Sequence, residues 1–246
     1  MNNDELVKAV CPLINDTGWA YYFVPETVAK ATELGLNGME FYVIGRGGPL
    51  GDCDSSAVAA AFGYFNPVVI ARAWNGASAK VKPRDAGRAH LECSAQLGRA
   101  KLGGVANLDA FVKAADAVNN AADPDGLALY SAIKSETLAS DVPARAMQLV
   151  TVLREFRGSA HLVAIRAMGL TSKQAHFVKR PDDVKMFGWT PEDAPHIDDS
   201  VRAKMVEVEA LTDALVSPAY SVLDDAGRNA LLAGATAIKA AVTQGK

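Results

Sequence analysis

Val28-Ala29-Lys30-Ala31-Thr32-Glu33-Leu34-Gly35-Leu36 and Leu162-Val163-Ala164-Ile165-Arg166-Ala167-Met168-Gly169-Leu170 decide the reading of the fold. The two Gly-Leu pairs lie 134 residues apart (169 minus 35), and the same offset sets Val28, Ala31 and Leu34 against Leu162, Ile165 and Met168. Each triplet has the i, i+3, i+6 spacing of one helical face. A glycine that takes a left-handed turn, followed by a leucine that packs between two helices, is the grammar of a helix-turn-helix. The offset continues to Arg46 and Arg180. Further on, Phe62-Gly63-Tyr64 pairs with Phe187-Gly188-Trp189 at an offset of 125, with Pro67 near Pro191, so the second copy is nine residues shorter there. Internal similarity of this kind predicts two diverged copies of one unit in tandem.

The rest of the sequence predicts helix almost throughout. Alanine and leucine dominate, and strand-like alternation is scarce. Val201, Met205, Val208, Thr212 and Leu215 form an amphipathic stripe. Asp141 followed by Pro143 reads as an N-cap with proline in the first turn, opening a helix towards Arg157. Asp123-Pro124-Asp125-Gly126 is the clearest turn. It divides the chain into an aromatic-rich unit, residues 1–122, and a second unit, residues 123–246, with long C-terminal helices. The expected fold is all-α, with tandem helix-turn-helix-like units and a wing reduced or absent.

Composition narrows the partners. A net charge of -3 and a pI near 5.8 give no global attraction to nucleic acid or to an anionic membrane, so any such binding needs a local patch. Half the residues are hydrophobic, enough for a proper core. The start, Met1 to Glu5, lacks a signal peptide's basic and apolar regions, and no apolar run reaches a membrane span, which predicts a cytoplasmic protein without a membrane partner. Cys11, Cys53 and Cys93 are odd in number and widely spaced, and read as reduced thiols. No metal and no cofactor is expected. Gly45 to Gly51 misses GxGxxG spacing, and His90-Leu91-Glu92 lacks the downstream cysteines of a zinc deaminase. HExxH, GxxxxGK[ST] and GxSxG are absent.

Several motifs resemble those of an actinobacterial family designated SalK/EvbL-like. Tyr22-Phe23-Val24-Pro25-Glu26, Arg46 to Gly51 and Phe62-x-x-Phe65-x-Pro67 carry the resemblance in the first half. Leu153 to Gly158 with His161, Gly169-Leu170 and Glu209-x-x-Thr212-Asp213 carry it in the second. It spans about residues 18 to 220 and implies a helix-turn-helix protein of MarR-like winged-helix character, with no assigned activity. Gly18 stands where the family often has histidine. Pro191 to Asp199 is short and acidic and has no visible wing.

Three candidate sites follow. In the second copy, Lys173, His176 and Arg180 share a helical face with Gln174 and Lys179 beside it, the long polar donors that a DNA-reading helix uses. The equivalent positions in the first copy, Met39, Tyr42 and Arg46, leave one basic helix of the two, so that a homodimer would be needed to pair equivalent DNA half-sites. The first copy gathers aromatics instead. Tyr22, Phe23, Tyr42, Phe62, Tyr64 and Phe65, with Glu26 and Arg46 as polar points, would line a pocket for an apolar or aromatic small molecule, and would otherwise form an aromatic core. Arg157 and His161 form the third site, fit for acid–base work, for an anion, or for structural hydrogen bonding alone. The expected function is a ligand-responsive regulator contacting DNA through its second unit. The alternative is a small-molecule-binding protein or enzyme on a helix-turn-helix scaffold that has left DNA behind.

Overall fold

A computed structural model describes residues 1–243. Among the described residues there are twelve α-helices and no strand: α1 (Asn3–Thr17), α2 (Pro25–Glu33), α3 (Gly38–Gly47), α4 (Ser55–Phe62), α5 (Pro67–Ser78), α6 (Pro83–Leu102), α7 (Leu108–Ala121), α8 (Ala128–Lys134), α9 (Val142–Ala167), α10 (Ser172–Lys179), α11 (Asp199–Tyr220) and α12 (Asp225–Thr243). The protein is all-α, and no β-wing follows either Gly-Leu turn.

The two copies are alike in their backbone chemistry. Gly35 and Gly169 have φ of 69° and 73°, left-handed values that a Cβ disfavours. The N–H groups of Leu36 and Leu170 donate back to Ala31 O and Ile165 O at 2.9 and 3.0 Å, closing the last turns of α2 and α9. Both leucines are buried. The helices that follow open with reciprocal capping boxes, Asn37 with Glu40 and Thr171 with Gln174, again 134 apart. Gly169→Ala is expected to cost about 1–2 kcal/mol of stability, and Gly169→Asn less, because asparagine tolerates the left-handed region. Urea unfolding of the two variants measures this. Equal losses would mean that backbone conformation is not what glycine supplies here.

One large core runs through both halves of the chain, from Leu6 of α1 to Val242 of α12. At its centre is α9, 26 residues long, buried along most of its length and packed by α1, α6, α7, α8 and α11. Its N-terminus is capped by Asp141, as its sequence predicts, with Oδ1 accepting from Ala144 N at 3.2 Å. Gly98 of α6 permits close approach: a Cβ there would stand 2.3 Å from Pro143 O. A smaller cluster, including Ile165, Leu170, Ala175, Val201, Met205 and Val208, seats α10 on α9 and α11. The stripe predicted for α11 holds as far as Thr212. There it steps four residues to buried Val216, and Leu215 is 43% exposed. The Asp123–Gly126 turn is mostly exposed, while the core continues past it.

The stretches paired at the 125 offset meet each other. Asn66 donates from its backbone N to Phe187 O at 2.8 Å and from Nδ2 to Gly188 O at 3.0 Å, and Trp189 Nε1 donates to Tyr64 O at 2.6 Å. The Phe65 and Phe187 rings lie 4.2 Å apart. This junction holds α3 of the first copy and α10 of the second on the walls of one cavity.

Candidate functional site

The cavity, of about 210 Å³, lies between the two helix-turn-helix units. Four groups of residues reach it. From α3 come Tyr42 and Arg46; from the α4–α5 junction, Phe62, Tyr64 and Phe65; from α9, Arg154, Glu155, Arg157, Gly158, Ser159, His161 and Leu162; from α10 and α11, His176, Lys179, Arg180 and Glu209. Arg46 and Arg180, matched by the internal repeat, thus line one space, as do their matched neighbours Tyr42 and His176.

A buried ionic network forms the inner wall. Glu155, with a side chain 2% exposed, accepts two bonds from Arg46, Nε to Oε1 at 2.9 Å and NH2 to Oε2 at 2.8 Å. Arg154 NH1 adds a third at 2.9 Å. The Tyr22 hydroxyl stands behind, donating to Glu155 Oε1 at 3.4 Å and accepting from Arg154 at 3.2 Å. Burial pushes the Glu155 carboxyl up, but the Arg46 and Arg154 guanidiniums outweigh it and bring its pKa down to about 2. The Arg46 guanidinium also lies 4.3 Å from the Phe62 ring centre, close enough for a cation–π contact.

A second cluster closes the other side. Arg157 NH2 donates to Glu209 Oε2 and Asp213 Oδ1, both at 2.9 Å, and Lys179 pairs with Glu209 Oε1. His161 Nδ1 lies 2.9 Å from Thr212 Oγ1, and that hydroxyl lies 2.7 Å from Val208 O. The second contact requires the threonine proton, since two bare oxygens that close would repel. Thr212 therefore accepts from Nδ1–H, which assigns the tautomer through the network and leaves Nε2 as the acceptor nitrogen. Burial, with help from Lys179 and Arg157 against the opposing Glu209, lowers the His161 pKa to about 4, so the ring is neutral near pH 7.

Of the residues expected from sequence to hold a small molecule, Tyr42, Arg46, Phe62, Tyr64, Phe65, Arg157 and His161 line this cavity. Three do not. Tyr22 sits one layer back, while Phe23, 50% exposed, and Glu26 lie at the surface. The expected DNA-reading face is also divided. His176, 3% exposed, packs on Phe187 with ring centres 4.1 Å apart. Lys179 is tied to Glu209. Lys173 lies 4.4 Å from the Trp189 ring centre, and Gln174 closes the capping box of α10. Arg180 is exposed at the cavity edge, and no ion pair among the described residues engages it. In this conformation His176 is closed to DNA.

The sequence reading passed over Arg154 and Ser159 and left Glu155 and Glu209 unplaced. A signal existed: Arg154, Arg157 and His161 recur at i, i+3 and i+7 on a long helix rich in alanine, valine and leucine, and such a polar stripe needs a reason. Among the described residues no group of three or more His, Cys, Asp or Glu side chains could hold a metal ion, and no helix is long and apolar enough to cross a membrane.

Two Gly-Leu helix pairs, each with its capping box, and a cavity enclosed between them define a tandem helix-turn-helix protein. The chain belongs to the Helix-turn-helix family, whose model matches residues 8–246. No curated protein and no solved structure matches it.

Proposed function

We propose that this protein binds a small molecule in the cavity between its two helix-turn-helix units, and that the occupant bears on the position of α10. On the quoted motifs we place it within the SalK/EvbL-like group. One observation carries the reading: charged side chains, Arg46, Arg154, Arg157 and Glu209, and aromatic ones, Tyr42, Phe62, Tyr64, Phe65 and His161, converge on one cavity of about 210 Å³. A space walled by aromatic rings with a few convergent polar groups is the usual form of a small-molecule site. NMR titration with benzyl alcohol and with benzoate tests the reading. Shifts centred on Tyr42, Tyr64, His161 and His176 are expected. If both probes leave these residues unmoved at millimolar concentration, the proposal fails.

Family membership favours a second reading, in which the same ligand controls DNA binding through Lys173, Gln174, His176, Lys179 and Arg180, in a homodimer that pairs two such helices. Freeing α10 from Glu209 would present these donors to DNA, a population shift set by the cavity. Affinity should then fall steeply as salt rises, in proportion to the phosphates contacted. Mobility shifts over a wide range of duplexes at low salt measure it. The prediction for the protein as it stands is weak retention that Glu209→Gln increases by releasing Lys179. No retention by either form would remove the regulator reading and leave the small-molecule reading intact.

A further inference from the structure

The two arginines matched by the internal repeat meet different fates, and the difference says what the cavity takes. Arg46 is matched by Glu155 in two hydrogen bonds. Arg180 stands at the other wall without an ion pair among the described residues. The whole lining is cationic in an acidic chain. Arg46, Arg154, Arg157, Lys179 and Arg180 face Glu155 and Glu209, and Asp213 engages Arg157 from outside the cavity. Asp183 acts on the His176 ring from beside Arg180, so five positive groups against four carboxylates leave an excess of one positive charge, whereas the chain carries -3. Within a low-dielectric wall such an excess draws in an anion.

Shape and hydrogen bonding narrow the class. Phe62, Phe65 and Phe187 give flat apolar walls, and Tyr64 lies over the His161 ring with planes 20° apart. The cavity measures about 210 Å³. That suits a single-ring molecule and lies below the ~300–1,000 Å³ usual for drug-sized ligands. His161 Nε2, left without a proton by the Thr212 network and 3.8 Å from Glu209 Oε1, beyond hydrogen-bond reach, asks for a donor from the ligand. Gly158 supports the same picture. It lies inside the central helix, where glycine costs about 1 kcal/mol against alanine, and a Cβ built on it meets nothing within 4 Å. Packing does not require glycine there, and a larger side chain would extend into the cavity that Gly158 lines.

We infer that the occupant is a small, flat hydroxy acid: its anionic group meets Arg180, its ring lies among the phenylalanines, and its hydroxyl donates to His161 Nε2. This rests on the small-molecule reading above. Calorimetric titration with 3- and 4-hydroxybenzoate, their methyl ethers and their methyl esters tests it on the full chain. At least one hydroxy acid is expected to bind tenfold or more tightly than both its ester and its ether. Arg180→Gln should abolish the preference for acid over ester, and His161→Phe the preference for hydroxyl over methoxyl, with the circular dichroism of both variants unchanged. Should either variant not fold, the wild-type preferences decide alone, together with the tautomer of His161 read by long-range proton–nitrogen NMR. Protonation at Nε2 in the free protein would overturn the acceptor role. Esters or ethers that match the hydroxy acids, or variants that keep both preferences, would overturn the inference. If the hydroxy acids fail while benzyl alcohol binds, the inference falls and the cavity reading stands. If benzyl alcohol and benzoate fail as well, both fall.

Discussion

Glu155→Gln is expected to destabilise the protein by about 3–5 kcal/mol, the cost of leaving buried guanidiniums without their counter-charge. The whole stability of a domain is about 5–15 kcal/mol, so the variant should unfold at a much lower urea concentration, or fail to accumulate. Burial decides the size of the effect. The side chains of Arg46 and Arg154 are 12% and 19% exposed, and this one carboxylate is the counter-charge they share. Acid should act on the same group. Its pKa in the folded protein is about 2, below the roughly 4.3 of an unperturbed glutamate. Its contribution is thus full above the unfolded value and is lost as pH falls from there through about 2. Wild type should lose stability across that window, and Glu155→Gln should show a shallower dependence. Arg46→Met and Arg154→Met combined with Glu155→Leu should recover much of the loss, since apolar side chains of similar volume need no solvation. If the single variant is as stable as wild type, Glu155 does not organise this wall.

Gly158→Leu separates the cavity from the fold. Leucine is a better helix former than glycine by several tenths of a kcal/mol or more, and a Cβ at this position meets no neighbour, so thermal unfolding should stay level or rise. The side chain would project into space that the ligand needs. Binding of any probe that wild type accepts should fall by a hundredfold or more. Stability gained with function lost is the signature of a glycine kept for its site. A variant that binds as wild type does would show that the occupied space is not the one beside Gly158.

Much of the fold was legible because its signals are local. The Gly-Leu turns, the Asp141 cap and the apolar stripe of α11 each follow from a few adjacent residues, and the offset of 134 predicted equivalence that reaches the capping boxes of α3 and α10. The missed step at Val216 is also local: Pro218 lies inside α11 and the stripe shifts just ahead of it. The site was legible only in part. Periodicity states that Lys173, His176 and Arg180 share a face, but says nothing of what that face meets. His176 meets Phe187 from a later loop, and Lys179 meets Glu209 from a later helix. Tyr22 and Phe23 are neighbours in sequence, yet the turn before α2 sends one inward and the other to solvent. Long-range pairings of this kind leave no trace in spacing. What sequence did carry was the contrast between the copies, one aromatic and one basic, and members of both sets, Tyr42, Phe62 and Phe65 of one and His176, Lys179 and Arg180 of the other, line one cavity.

The most direct measurement is a crystal structure with 4-bromobenzoate, in which anomalous scattering locates the bromine without reference to any assumed pose. The account predicts one strong bromine peak between α3 and α10, among Phe62, Phe65 and Phe187, with the carboxylate on Arg180. A bromine bound only outside the cavity, or none bound under conditions where the cavity remains open, would contradict it.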